Sequence, residues 1–201
     1  MARVKQFLNS PYSFWALLAL PSIGMFLGLM GGTSYHRLLH PTGEFAARFM
    51  ILAMMITPLR MLFPRQRWLL WLQRRRRYLG VAAFGYAILH AIFYVLDLGT
   101  LSKIAADALE LGIWTGWIAF LIFVPLAATS NDWAVRRLQS AWKKLQRWVY
   151  PAALFTLAHW IFIEYEPGSA LVHFAPLAAL EAYRLWRNYA GQRREPWAAS
   201  A

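Results

Sequence analysis

Six separate segments of this chain are long and apolar, and this pattern constrains the fold more than any other feature. A transmembrane helix needs about 20 mostly apolar residues to cross roughly 30 Å of hydrocarbon. The segments cover residues 14–30, 44–63, 78–96, 111–128, 148–163 and 170–186. Hydrophobic residues make up 59% of the chain and charged residues 15%, whereas a soluble domain has about 45–50% and about 25%. We expect an all-α, polytopic membrane protein with six transmembrane helices, folded as a single helical-bundle domain over 1–201.

Basic residues concentrate on one side of the six segments. This side carries Arg3, Lys5, Arg60, Arg65, Arg67, residues 74–77, Arg136, Arg137, Lys143, Lys144, Arg147, Arg184, Arg187, Arg193 and Arg194. Five acidic residues, Asp97, Asp107, Glu110, Glu164 and Glu166, occupy the opposite side. Because cytoplasmic loops are enriched in Lys and Arg, we expect both termini in the cytoplasm. The net charge of +12 then reflects topology, and nucleic acid is not expected as a partner.

Two histidines fall inside the apolar segments. An ionisable residue within a membrane is a functional candidate. His90 lies about 18 Å beyond Tyr78, and His159 lies about 16–17 Å beyond Trp148, at 1.5 Å per helical residue. The two imidazoles therefore reach the same level in the outer half of the membrane, as two ligands on opposite faces of one haem require. Hydrogen-bonded core histidines are the alternative. The chain has no cysteine, which excludes disulfides, thiolate-bound metals and covalently attached c-type haem.

The residues one helical turn before each histidine would share its face. Ala87 and Thr156 are small and leave a slot for a flat macrocycle, and Tyr86 and Phe155 could wall that slot. Ordinary packing of small residues between membrane helices would explain the same pattern.

The predicted outer side holds further polar candidates. Arg48 could bind haem propionates or extend its side chain to the membrane surface. His173 is a weaker candidate for lining a cofactor. His36 and His40 are spaced i, i+4 and could bind a metal ion together with Glu44, although interfacial packing or contact with a partner is the preferred interpretation.

Four stretches occur in the order found in one known family. They include Ala47-Arg48-Phe49 followed by Thr57-Pro58-Leu59-Arg60, Tyr86-Ala87-Ile88-Leu89-His90, Leu126-Ala127-Ala128-Thr129-Ser130, and Trp142-Lys143-Lys144-Leu145-Gln146 leading to His159-Trp160. Together they resemble the MsrQ (YedZ) family, the haem-binding membrane subunits of the periplasmic methionine sulfoxide reductase system, within the ferric-reductase-like transmembrane superfamily. The similar core extends over about 42–163.

The resemblance implies a b-type haem held by His90 and His159 in a bacterial inner membrane. Electrons would come from the quinone pool or a cytoplasmic flavin reductase and leave to a periplasmic molybdenum enzyme, so the chain would be an electron-transfer subunit rather than the catalytic one. A third family histidine is replaced here by Gln146, and Arg77, 13 residues before His90, is not a ligand either. The resemblance therefore implies one outer haem. A scaffold or assembly subunit that kept the fold but lost its haem sites is the alternative.

Overall fold

The computed structural model describes residues 10–164 and 167–192, and within them the secondary structure is entirely helical. This confirms the all-α prediction for the described residues. The helices in chain order are α1 Pro11–Met30, α2 Tyr35–Leu62, α3 Arg67–Leu98, α4 Leu101–Asp107, α5 Leu111–Ala128, α6 Asp132–Leu138, α7 Ser140–Gln146, α8 Val149–Glu164 and α9 Pro167–Gln192.

Four of these helices, α1, α2, α3 and α5, are long and apolar enough to cross a membrane within the described part of the chain. The predicted fifth and sixth spans correspond to α8 and α9. At 16 residues, α8 extends only about 24 Å, and α9 carries Glu181, Arg184 and Arg187 in its second half. Six crossings therefore remain a prediction. The cytoplasmic location of both termini also remains a prediction, because Arg3, Lys5, Arg193 and Arg194 lie outside the described residues. Glu166, predicted on the opposite side, lies outside them as well.

The helices extend beyond the apolar segments, which is where the predicted boundaries were wrong. The second helix begins at Tyr35 and the third at Arg67, so the arginine run at 74–77 is helical and not part of a loop. Arginine is a good helix former, and nothing in that run interrupts the helix. The end of α3 is set by Gly99, which adopts a left-handed φ of 70° that a side chain would disfavour.

Contacts between helix ends show that the two ends of the bundle differ in charge. At one end, here called the acidic end, His36 lies 3.0 Å from Asp97 and His40 lies 2.7 Å from Glu164. At the other, here called the arginine-rich end, Arg77 lies 2.5 Å from Asp132. The hydrogen bond and the positive charge of Arg77 hold the pKa of the Asp132 carboxyl below its usual value. Successive long helices therefore run in opposite directions between these ends.

The core of the bundle is centred on α2. Its residues Met50, Ile56 and Thr42 are almost completely buried, and α2 packs along α3 on one side and against α9 on the other. A second close pair is formed by α5 and α8. Between the two pairs, small side chains such as Ala47, Ala83 and Ala152 let the helices approach, and this arrangement positions the site described below.

The absence of cysteine makes the crossing of α8 and α9 directly testable. We expect Gly168→Cys to react with a membrane-impermeant maleimide from outside intact spheroplasts, and Ser140→Cys and Gly191→Cys to react only after lysis. A side chain at Gly168 or Gly191 meets no neighbouring atom within 4 Å, so neither glycine substitution should disturb the fold. Labelling of all three variants from the same side would contradict the six-crossing topology.

Candidate functional site

The structure brings His90 of α3 and His159 of α8 together near the acidic end. Their ring centroids are 5.9 Å apart and the ring planes are nearly perpendicular, at 84°. Each histidine also contacts a residue 47 to 51 positions away in the sequence, so this arrangement is a product of tertiary packing. Two rings this close lie at a similar level along the bundle, as we predicted for His90 and His159 from the rise of a helix.

Each imidazole is oriented by a backbone carbonyl. His90 Nδ1 lies 3.0 Å from the carbonyl oxygen of Leu39, and His159 Nδ1 lies 2.6 Å from that of Gly112. Because a carbonyl oxygen can only accept, each Nδ1 atom donates the hydrogen, and in the neutral imidazole Nε2 then keeps its lone pair. This is how metal-binding histidines are usually oriented. Within the described residues, neither Nε2 atom has a hydrogen-bond partner.

Two glycines on neighbouring helices provide the space in which the rings lie. A Cβ atom at Gly43 of α2 would come within 3.1 Å of His90 Cε1 and Nδ1. One at Gly116 of α5 would come within 2.6 Å of His159 Nδ1 and 2.7 Å of its Cε1. Contacts below 3.0 Å are not tolerated, so an alanine at Gly116 would force the imidazole to move.

A cavity of about 490 Å³ lies beside the two rings, within the size range of pockets that hold small molecules and cofactors. Its inner part is apolar and its rim, at the acidic end, is polar. The inner wall includes Ala46, Ala47, Ala87, Ala119, Phe120, Phe123 and Thr156, and the rim includes His36, His40, Glu44, Asp97, Asp107 and Glu164. Such a cavity can hold a largely apolar ligand with one polar edge.

The predicted residues around the histidines divide into two groups. Ala87 and Thr156 line the cavity. Tyr86 and Phe155 do not: the Tyr86 hydroxyl accepts from Ser22 N at 2.8 Å and donates to Leu18 O at 3.1 Å. The Tyr86 hydroxyl thus lies between the Ser22 amide and the Leu18 carbonyl, which are four residues apart and would otherwise form a helical hydrogen bond with each other. Pro21 is adjacent to Ser22 in α1. Tyr86 joins α1 to α3 and does not wall the cavity.

Arg48 and His173 lie behind the rim and belong to a polar network around Glu44. Arg48 forms an ion pair with the Glu44 carboxylate, and its Nε donates to His173 Nε2 at 3.2 Å. His173 Nδ1 is bonded to Ser169 O at 2.8 Å, and its ring lies 5.1 Å from that of Trp160, which lines the cavity. Neither Arg48 nor His173 reaches the cavity itself.

The structure gives His36 and His40 different partners. They pair with different carboxylates, Asp97 and Glu164, and among the residues described there is no group of three or more His, Asp or Glu side chains that could hold an ion. The i, i+4 spacing at the start of α2 therefore serves two separate contacts between helices.

The two positions considered for an inner ligand are occupied by other contacts. Gln146 Nε2 donates to Leu126 O at 3.0 Å and to Thr129 Oγ1 at 3.2 Å, which ties α7 to the end of α5. Arg77 is paired with Asp132. These side chains connect segments at the arginine-rich end.

The residues at the cavity fit a haem better than a bare metal ion. Metal–imidazole bonds are about 2 Å long, and protein sites for a bare ion use three or four ligands. Here two imidazoles with free Nε2 atoms stand alone beside an apolar cavity. A haem needs only such an axial pair, since its macrocycle supplies the other four nitrogens.

The orienting carbonyls, the two glycines and the rim were not predicted from the sequence. Isolated glycines within apolar helices are the signal that could have indicated a close approach between helices.

We expect Gly116→Ala to weaken ligand binding at this site without unfolding the protein. The added methyl displaces the His159 imidazole from the Gly112 carbonyl, and loss of such ligand orientation lowers metal-site affinity about 10–100-fold. The measurement is the haem-to-protein ratio of purified protein. Gly85→Ala is the matched control, because its Cβ would meet nothing within 4 Å. An unchanged ratio in Gly116→Ala would contradict the assigned orientation of His159.

Comparisons with known proteins identify the family of this chain. The family described as ferric reductase like transmembrane component matches residues 42–157, a range that includes His90 and ends two residues before His159. The protein-methionine-sulfoxide reductase heme-binding subunits MsrQ of Brucella ovis, Brucella canis and Brucella suis are each 36% identical over 171 residues, covering 83% of this chain and 76% of the relative. No solved structure matches the chain. The chain therefore belongs to the ferric reductase-like transmembrane family and, within it, to the MsrQ family.

Proposed function

We propose that this chain is the b-type haem subunit of a membrane electron-transfer system in the bacterial inner membrane. The observation that carries the proposal is the pair of carbonyl-oriented imidazoles of His90 and His159, 5.9 Å apart beside the cavity. The haem-binding subunit named among the relatives supports the same ligand. When bound, haem supplies one-electron chemistry at its iron, and the protein sets its potential through ligands, burial and hydrogen bonding.

The chain's own residues would bind and orient the cofactor. The Leu39 and Gly112 carbonyls hold each Nδ1 atom, which would leave each Nε2 available to the iron. If His90 and His159 both hold the haem iron, no position would be left there for a substrate. The apolar inner wall, including Phe120 and Phe123, excludes water. These features suit an electron carrier rather than a catalytic subunit.

The acidic end is the side from which we infer that electrons leave. The cavity that both histidines line is bordered there by polar rim residues such as His36, Asp97 and Glu164. The partner proposed at this face is the catalytic subunit of a periplasmic methionine sulfoxide reductase, which the resemblance implies is a molybdenum enzyme.

A single haem is the stoichiometry that the histidines support. The chain has five histidines: two face each other at the site, and His36, His40 and His173 belong to contacts at the acidic end. Toward the arginine-rich end, the core is filled by apolar side chains such as Met54 and Leu126. Quinol within the membrane is the donor we favour, because it could approach a single haem without a second one in between. A cytoplasmic flavin reductase is the other donor considered.

Purified protein should show a reducible b-type spectrum with one haem per chain. His90→Ala and His159→Ala should each abolish it, because one axial ligand and its orienting hydrogen bond are lost together. His36→Ala should retain the spectrum, since this histidine pairs with Asp97 at the rim and its side chain is 78% exposed. Folded wild-type protein that stays free of haem but still binds its partner would support the scaffold alternative instead.

The donor can be identified in proteoliposomes that contain wild-type protein. We expect added quinol to reduce the haem, as followed by absorbance, at a rate that does not need a soluble reductase. Reduction only in the presence of a flavin reductase and its nicotinamide substrate would show that the donor is cytoplasmic.

A further inference from the structure

The basic side chains at the cavity rim, and Arg48 behind it, are already paired within the protein. Arg48 is bound to Glu44, His36 lies 3.0 Å from Asp97, and His40 lies 2.7 Å from Glu164. A haem carries two propionate carboxylates, which need hydrogen-bond donors when they are removed from water. Arg48, the donor that we predicted for them from the sequence, does not line the cavity. Another donor is therefore required.

Tyr94 carries a hydroxyl group that, unlike the paired groups, is still available to donate a hydrogen bond. It lies one turn beyond His90 on α3, so both residues face the same side of the helix, and it lines the same cavity. Its hydroxyl oxygen is buried and finds no hydrogen-bond partner among the described residues. A buried polar group without a partner is unfavourable and usually indicates a role or a missing partner. A phenol can donate one hydrogen bond while remaining neutral.

The phenol ring of Tyr94 is held by an aromatic cluster on α5. Its centroid lies 6.3 Å from that of Trp117, with the ring planes at 73°, and Trp117 in turn packs edge-on against Phe120 at 5.9 Å. Such contacts favour a defined ring orientation. Trp117 and Phe120 also line the cavity, so the cluster forms one wall of it.

We propose that Tyr94 donates its hydroxyl hydrogen to a carboxylate of the bound haem, and that it is a positioning residue of this site. The inference rests on the proposed function, because it requires haem in the cavity. It adds a specific neutral donor on α3, in a cavity that Asp107 also lines. A neutral donor stabilises the propionate charge through a hydrogen bond and adds no cation that the rim carboxylates would attract.

The test compares the midpoint potential of full-length wild-type protein with that of Tyr94→Phe, both purified with haem. A negative propionate favours the ferric state, and a hydrogen bond to it weakens that effect. Loss of the hydroxyl should therefore shift the potential to a lower value while the b-type spectrum and the haem-to-protein ratio stay at wild-type levels. Tyr35→Phe is the matched control, because Tyr35 stacks on Phe93 at 6.0 Å and is not among the residues that line the cavity.

Haem dimethyl ester identifies the group that Tyr94 serves. In this compound both carboxylates are esterified, so the difference in potential between wild type and Tyr94→Phe should largely disappear after reconstitution. A difference of the same size with the ester would overturn the proposal and assign the hydroxyl to Asp107 or another protein group. An unchanged potential in haem-loaded Tyr94→Phe would overturn it as well. Wild-type protein that cannot be loaded with haem would refute the proposed function itself.

Discussion

Two hydrogen bonds from imidazole nitrogens to backbone carbonyls are the interactions on which the site depends. Leu39 belongs to α2 and Gly112 to α5, so each histidine is oriented by a different helix from the one that carries it. Carbonyls of this kind are available only where a helix presents its backbone closely, and Gly43 and Gly116 permit that approach. The site is therefore coupled to the packing of four helices, and small changes in their separation would alter it.

The two ends of the helical bundle differ in how their polar side chains connect the helices. At the acidic end, ion pairs join the starts and ends of helices and surround the cavity without filling it. At the arginine-rich end, Arg77 and Gln146 connect neighbouring segments, and the core above them is tightly packed. The cavity beside the two histidines therefore opens at the acidic end, and this position suits the proposed haem near the face where a partner would accept electrons.

Tyr86 illustrates why a shared helix face is not a shared environment. It lies four residues before His90, and one helical turn places it roughly on the same face. In the structure its hydroxyl turns to the backbone of α1, because α1 packs beside α3 and offers an amide and a carbonyl next to Pro21. Tyr94, four residues on the other side of His90, faces the cavity instead. The helical period alone could not separate these two tyrosines.

Hydropathy and charge in the sequence determined that the chain forms apolar helices with an arginine-rich side and an acidic side. Residues in lipid must be apolar over a fixed length, and charged residues must lie in water, so both patterns can be read locally in the sequence. The depth of His90 and His159 was likewise set by the constant rise of a helix. Which groups fill the hydrogen-bonding positions around them was decided only by tertiary structure. The carbonyls of Leu39 and Gly112, the clearance at Gly116 and the pairing of Arg48 with Glu44 all depend on how distant helices approach, and no local pattern in the chain encodes that distance.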